Sequence, residues 1–385
     1  MIELKSVLQD DFWIMPATPK YEINGIPYIT SKNIKNGKID FQNANYISVD
    51  DYYKISKKRP IKENDILISM IGTLGETAIV TNEDGIFYGQ NMFLVRLNQK
   101  KIYNQYFMYY FKSNFVKRQL HTKQNKSTQS YLKAGHIESL KINLPSYKTQ
   151  KEVVKKLDKI VCILNKYKIQ IDMLDELVKA RFVELFGTLD NPTFNYNKST
   201  LGELCYKITD GKHGGCSLIQ GSNRYFVGAR EIYDDKVHYE NAPEISVDDF
   251  EKDYRRCNVE VGDFLIVNTG ATIGKSAIAT DKRTKHTLLQ KSVALLKLNQ
   301  DLLNPEFLKW CYRINTRMYL VESSSAQPNL LLSKIKATEI YVPPIELQNQ
   351  FADFVKEVDK SRLEVQKSLK KTQELFDSLM QKYFG

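Results

Sequence analysis

Between Gly85 and Ile137 the chain carries no acidic residue, whereas Arg96, Lys100, Lys101, Lys112, Lys117, Arg118, Lys123, Lys126 and Lys133 supply nine positive charges. Such side chains neutralise phosphates, and binding that rests on them weakens as salt rises. Interleaved with them are Asn114, Gln119, Gln124, Asn125, Ser127, Thr128 and Gln129, residue types that hydrogen-bond base edges or phosphate oxygens. The candidate nucleic-acid contacts of this half are Lys112, Lys117, Arg118, Lys123, Asn125, Lys126, Ser127, Thr128 and Gln129. The plainer alternative is a solvated helix face and loop. The aromatics here, Tyr103, Tyr106, Tyr109, Tyr110 and Phe111, suit core packing better than base stacking. The second half is basic more diffusely, with Arg255, Arg256, Arg313 and Arg317 among its cations; its candidates are Arg224, Arg230, Lys275, Lys282, Arg283, Lys285 and Gln327.

Other chemistries find little footing. Gly270-Ala271-Thr272-Ile273-Gly274-Lys275-Ser276 imitates a phosphate-binding loop, but three residues separate its glycines where four are needed, which leaves a glycine turn after a strand. Asn191-Pro192-Thr193-Phe194 imitates the Asn-Pro-Pro-Tyr/Phe signature of amino-group methyltransferases, lacks the second proline, and reads as a linker turn. The histidines (His121, His136, His213, His238, His286) show no paired spacing, and no serine or cysteine has a nucleophile's setting. Cys162, Cys205, Cys216, Cys257 and Cys311 stand far apart with no Cys-x-x-Cys pair, and are expected as reduced thiols in or near cores, without a metal. The chain is therefore expected to have no catalytic residues, no metal and no cofactor of its own.

A formal net charge of +11 and a pI near 9.1 point to a polyanionic partner. No run of eighteen apolar residues occurs, and Glu3, Asp10 and Asp11 are out of place in a signal peptide, so no membrane partner and a cytoplasmic location are expected. At 385 residues, two domains are expected.

The elements that position these residues occur twice. Ile47-Ser48-Val49-Asp50-Asp51-Tyr52 returns as Ile245-Ser246-Val247-Asp248-Asp249-Phe250, and 245 − 47 = 198. The same offset carries Asp65 to Asp263, Gly72 to Gly270, Gln129 to Gln327, Leu132 to Leu330, Pro145 to Pro343 and Phe186-Gly187 to Phe384-Gly385. Each copy ends in a heptad stripe. The first runs Val153, Leu157, Ile160, Leu164, Tyr167, Ile171, Leu174, Val178, and the second Phe351, Val355, Val358, Arg362, Val365, Leu369, Thr372, Phe376. Arg362 and Thr372 are the departures, places where the seam is loosened or its register pinned by a polar group. Prolines precede both helices and glycines end them. Each is a rod of about 60 Å, and because a domain's termini usually lie close together, the two rods are expected to pair antiparallel.

The apolar runs Asp65–Ser69, Met92–Leu97, Asp263–Val267 and Val293–Leu296 predict short buried strands. Asn304-Pro305 predicts a capped helix start, and Asn104 the matching cap of a helix over Gln105–Leu120. The expected fold class is α+β, with a mostly antiparallel or mixed sheet. Two similar domains would occupy 1–146 and 188–344, and two long helices, 147–187 and 345–385, would form an antiparallel coiled coil in a pseudo-two-fold dumbbell. The scaffold repeats but the loops do not: Lys126-Ser127-Thr128 stands against Ser324-Ser325-Ala326.

This order of features, twice over, resembles the specificity subunits of type I restriction-modification systems along essentially the whole chain. The residues that carry the resemblance are Leu185-Phe186-Gly187, Asn191-Pro192, Leu201-Gly202-Glu203-Leu204, Gly262-Asp263 to Gly274, Ala326 to Leu330, and Val342-Pro343-Pro344. The resemblance implies target-recognition domains that read the two parts of a bipartite, asymmetric site in double-stranded DNA, across a gap set by the helices. It implies two methyltransferase subunits docked on those helices, binding S-adenosylmethionine, and restriction subunits that use ATP and Mg2+ to translocate and cut. One departure is the abrupt opening of the first domain at Met1, where the second has a fuller Leu201–Gln220 segment with Gly211 and Gly214-Gly215. The rival reading is a coiled-coil scaffold or adaptor without DNA reading, and a methylase-restriction fusion stands third.

Overall fold

The computed structural model describes residues 1–15, 19–70, 75–123, 133–315, 318 and 329–385. Asn125, Lys126, Ser127, Thr128, Gln129 and Gln327, together with the side chain of Lys123, lie outside the described residues. The chain divides into two compact units, Met1–Lys168 with Lys367–Gly385, and Ile169–Gln366.

In the first unit a four-stranded antiparallel sheet takes the order Trp13–Ile14, Met92–Val95, Ile66–Ser69, Thr77–Ile79. Its central strands are buried throughout, because each face meets its own core. Ile66, Ile68, Phe93 and Val95 face Tyr106 and Phe107, whereas Leu67, Met92 and Leu94 face Tyr28, Ile47 and Phe87. The two-residue period of a strand thus turns a continuous apolar run into two cores. Ile26–Ile29 pairs parallel with Tyr88–Gly89, and Ile2–Glu3 pairs antiparallel with Lys141–Ile142.

The second unit repeats the plan. Its four-stranded sheet runs Cys205–Asp210, Val293–Leu298, Phe264–Val267, Ser276–Ile278, again antiparallel. Tyr225–Val227 pairs parallel with Thr287–Leu289, and Lys198–Thr200 antiparallel with Glu339–Tyr341. The α+β class and the mostly antiparallel strand pairing are therefore as the sequence indicates, and the 198-residue repeat is a repeat of topology.

Helix starts divide the halves. Asn304 caps Pro305–Ile314, its Oδ1 accepting from the N–H groups of Glu306 and Phe307. The matching expectation for Asn104 needs correction: Tyr103 occupies the cap, and Asn104 is buried, donating to Asn64 O and accepting from Gln99. The single helix expected over Gln105–Leu120 is two, Asn104–Lys112 and Asn114–Lys123, broken at the buried Ser113. Tyr106, Tyr110 and Phe111 are buried, which agrees with core packing.

The two long helices span Tyr147–Phe186 and Ile345–Phe384. Gly187 ends the first at φ +73°, where a Cβ would come within 2.2 Å of Asn191 O, so the Asn191-Pro192 turn folds directly onto the helix end. Every seam position is buried or half-buried. Val153, Leu157, Leu164, Val178, Phe351, Val355 and Val358 are buried, and Ile160, Tyr167, Ile171, Leu174, Val365, Leu369 and Phe376 half-buried. Within the first unit the start of the first helix shares a core with the end of the second, Val153 and Leu157 with Phe376 and Phe384. Within the second unit Phe182 and Phe186 pack on Phe351 at 5.3 and 5.6 Å between ring centroids, and Arg362 reaches Asp175 at 2.5 Å, so numbers rising along one helix fall along the other. Arg362 therefore pins the seam by an ion pair.

One expectation about the cysteines fails. Cys257 and Cys311 are buried and Cys205 and Cys216 half-buried, but Cys162 is exposed on the first long helix. All five are free thiols, and burial pushes the Cys257 thiol up to about 11. Among the described residues no helix is long and apolar enough to cross a membrane.

Candidate nucleic-acid interface

In the first unit, Lys112 ends one helix and Lys117 sits in the first turns of the next. Both are exposed and line a cleft of about 220 Å3 with Asn114, Phe376, Asp377 and Gly385. Arg118 is exposed on the same helix. None of these three cations forms an ion pair among the described residues. Two other members of the acid-free run have internal duties. The Arg96 guanidinium grips the buried Asp65 carboxylate at 2.7 Å and reaches Asp10 at 3.1 Å. Gln119 exchanges two hydrogen bonds with the Lys141 backbone. The run's free charge is thus smaller than its count.

The second unit gathers its candidates around the parallel strand pair. Arg224 precedes Tyr225–Val227, and Lys282, Arg283 and Lys285 form the turn Lys282–His286 that enters its partner strand. His286 registers the crowding: burial lowers its pKa, and the positive charges of Arg224 and Lys285 lower it further. Arg230 follows the same strand and is exposed, as are Lys282 and Lys285. Arg283 is not free. It binds Asp281 at 2.7 Å, which holds that carboxyl down at about 2, and stacks 4.7 Å from the Tyr239 ring centroid. Arg224 lies 5.0 Å from the Phe250 ring centroid, held by a cation–π contact. Lys275 is exposed on the turn joining Phe264–Val267 to Ser276–Ile278, a hairpin. A phosphate-binding loop opens a helix instead, so the Gly270–Lys275 match has no such role.

A loop from Asp210 to Ser217 is a candidate the residue types alone did not single out. A Cβ on Gly211 would stand 2.2 Å from Leu289 O, so only glycine lets the loop lie against this strand. Lys212 is held by Asp253, Asp210 by Arg256, and the Ser217 N–H by Asp249, which leaves His213 exposed beside Asp210 at 3.2 Å. Three glycines around one histidine were the available signal.

Among the described residues no cluster of three His, Cys, Asp or Glu side chains could hold a metal ion. Residues 14–172 and 195–375 match the model of the type I restriction modification DNA specificity domain, once per half. A Methanocaldococcus jannaschii chain assigned as the type I restriction enzyme MjaX specificity subunit is 24% identical over 415 residues, covering 97% of this chain and 91% of that one. The fold is shared with a chain from a structural study of type I R-M complex assembly and conformational transition (TM-score 0.63, 17% identity, 100% and 96% covered). It is shared also with the S subunit of a type I restriction-modification system from M. genitalium (TM-score 0.56, 16% identity, 100% and 95% covered). With two matched copies that follow the repeat through most of its length, the chain belongs to the type I restriction-modification DNA specificity family, a sequence-reading subunit and not a catalytic one.

Proposed function

We propose that this chain reads a bipartite, asymmetric DNA site, one half-site per domain, and that its long helices dock two methyltransferase subunits and, through the complex, restriction subunits. S-adenosylmethionine, ATP and Mg2+ would be bound by those partners. The observation that carries the reading is a matched element with opposite chemistry. In the first unit the turn before the parallel strand is Asn82-Glu83-Asp84, and in the second it is Lys282-Arg283-Thr284-Lys285-His286. A scaffold kept in both halves while its loops diverge this far suits two different base sequences. Exposed Ile169, Met173 and Leu177, spaced four apart on the first long helix, supply apolar surface for a protein partner.

The test is to coexpress the chain with its methyltransferase subunit and map N6-methyladenine across the host genome, with and without the chain. A bipartite motif is expected, changing in one half only when Gly85–Ile137 is exchanged for the segment of a relative. Unchanged methylation despite an assembled complex would favour a scaffold without DNA reading.

A further inference from the structure

Between Tyr147 and Lys168 the first long helix carries seven lysines, all exposed, against two acids, Glu152 and Asp158. Asp158 is already engaged, accepting from Tyr109 Oη at 2.6 Å. The ion pairs of this helix, Glu176–Lys179, Arg181–Glu184 and Asp175–Arg362, all lie beyond Lys168, and none of the seven lysines makes one among the described residues. At about 100° per residue, Lys148, Lys151, Lys155, Lys159 and Lys166 fall on one face, turned away from buried Val153, Leu157 and Leu164.

The repeat supplies the control. Adding 198 turns Lys148, Lys155, Lys159 and Lys166 into Glu346, Asp353, Glu357 and Glu364, all exposed, while over this span the seam stays apolar except at Arg362. The second long helix forms over the matching 40 residues with acids in these places, so the helix does not require the lysines in order to form. Exposed ion pairs are individually weak, too weak to hold a protein without an apolar centre. The exposed large apolar side chains of this helix begin at Ile163, and none is exposed between Lys148 and Lys159, where four of the five ridge lysines lie. A polyanion needs no such centre, because each neutralised phosphate releases counterions. The five lysines span about 27 Å, room for about eight phosphates of one strand.

We propose that this lysine ridge is a sequence-independent contact to the DNA backbone, made by the first long helix and not by the second. The proposal rests on the DNA-reading function and adds a surface outside both sets of reading loops. The test uses the full chain coexpressed with its methyltransferase subunit, carrying Lys148→Gln, Lys155→Gln, Lys159→Gln and Lys166→Gln together. Glutamine keeps helix propensity, and an unchanged melting temperature establishes folding. Binding to duplexes with and without the methylated motif is measured across a salt series. The slope of log K against log salt should become shallower by about 3–4, equally for both duplexes, with the methylated sequence unchanged. The matching Gln variant at Glu346, Asp353, Glu357 and Glu364 should leave the slope alone. A wild-type complex without salt-dependent binding would overturn the function itself. A binding wild type whose slope the lysine variant does not alter overturns the ridge alone, and loss of methyltransferase subunits at unchanged slope in native mass spectrometry reassigns it to a protein contact.

Discussion

A cation is available to DNA only when no neighbour already uses it, and this separates the candidate residues. Arg96 and Arg283 are consumed by Asp65 and Asp281, so residue type alone overcounts the basic surface; Lys282, Lys285 and Arg230 have no such partner among the described residues. A paired arginine and a free lysine look alike in sequence when the partner stands dozens of residues away, as Asp65 does from Arg96. His286 reports on this cluster. Arg224 and Lys285 help burial to hold its pKa below the ordinary value, and a phosphate arriving among them would favour the imidazolium. Proton NMR of the histidine ring should therefore show a depressed midpoint in the free chain and a higher one with duplex bound. Lys285→Gln should raise the free midpoint and shrink the shift on binding. A midpoint that ignores DNA would remove this cluster from the interface.

At the scale of elements, what was legible followed a period, and what was not depended on a distant partner. The heptad seam, the central strands and the glycine helix ends all repeat locally, and each stands where the spacing places it. The break at Ser113 and the displaced cap at Asn104 follow from tertiary contacts that no local pattern carries. Gln150 and Gln348 are a missed pair that the 198-residue offset could have found. Both are fully buried on the first turns of the long helices. Gln150 donates to Lys101 O and Pro145 O and accepts from Tyr103 N; Gln348 donates to Leu302 O and Pro343 O and accepts from Asn304 N. Each ties its helix start to the loop that follows a sheet strand. A methionine in either place leaves three backbone groups unpaired, at about 1–3 kcal/mol for each buried one. Gln150→Met and Gln348→Met are expected each to lower stability by at least about 2 kcal/mol, read from urea midpoints at unchanged slope. A loss under about 0.5 kcal/mol would show that water replaces the amide.

For the molecule as a whole, the proposed function divides reading and spacing between different parts of the sequence. The sheets and their loops differ in chemistry between halves, whereas the long helices keep one seam, Val153 to Val178 and Phe351 to Phe376, in which each buried position constrains the next. If the helices set the gap of the recognised site, lengthening them should change that gap and nothing else. Seven residues inserted at matching places in both helices preserve the heptad phase and add about 10 Å, close to three base pairs at about 3.4 Å each. An insertion in one helix alone shifts one half of the seam against the other and is expected to lower the melting temperature, which provides the internal control. Mapping N6-methyladenine with the double insertion should return the same two half-sites with a longer gap. Altered half-sites would place base reading under the control of the helices. An unchanged gap at full activity would assign the spacing to the partners rather than to this chain.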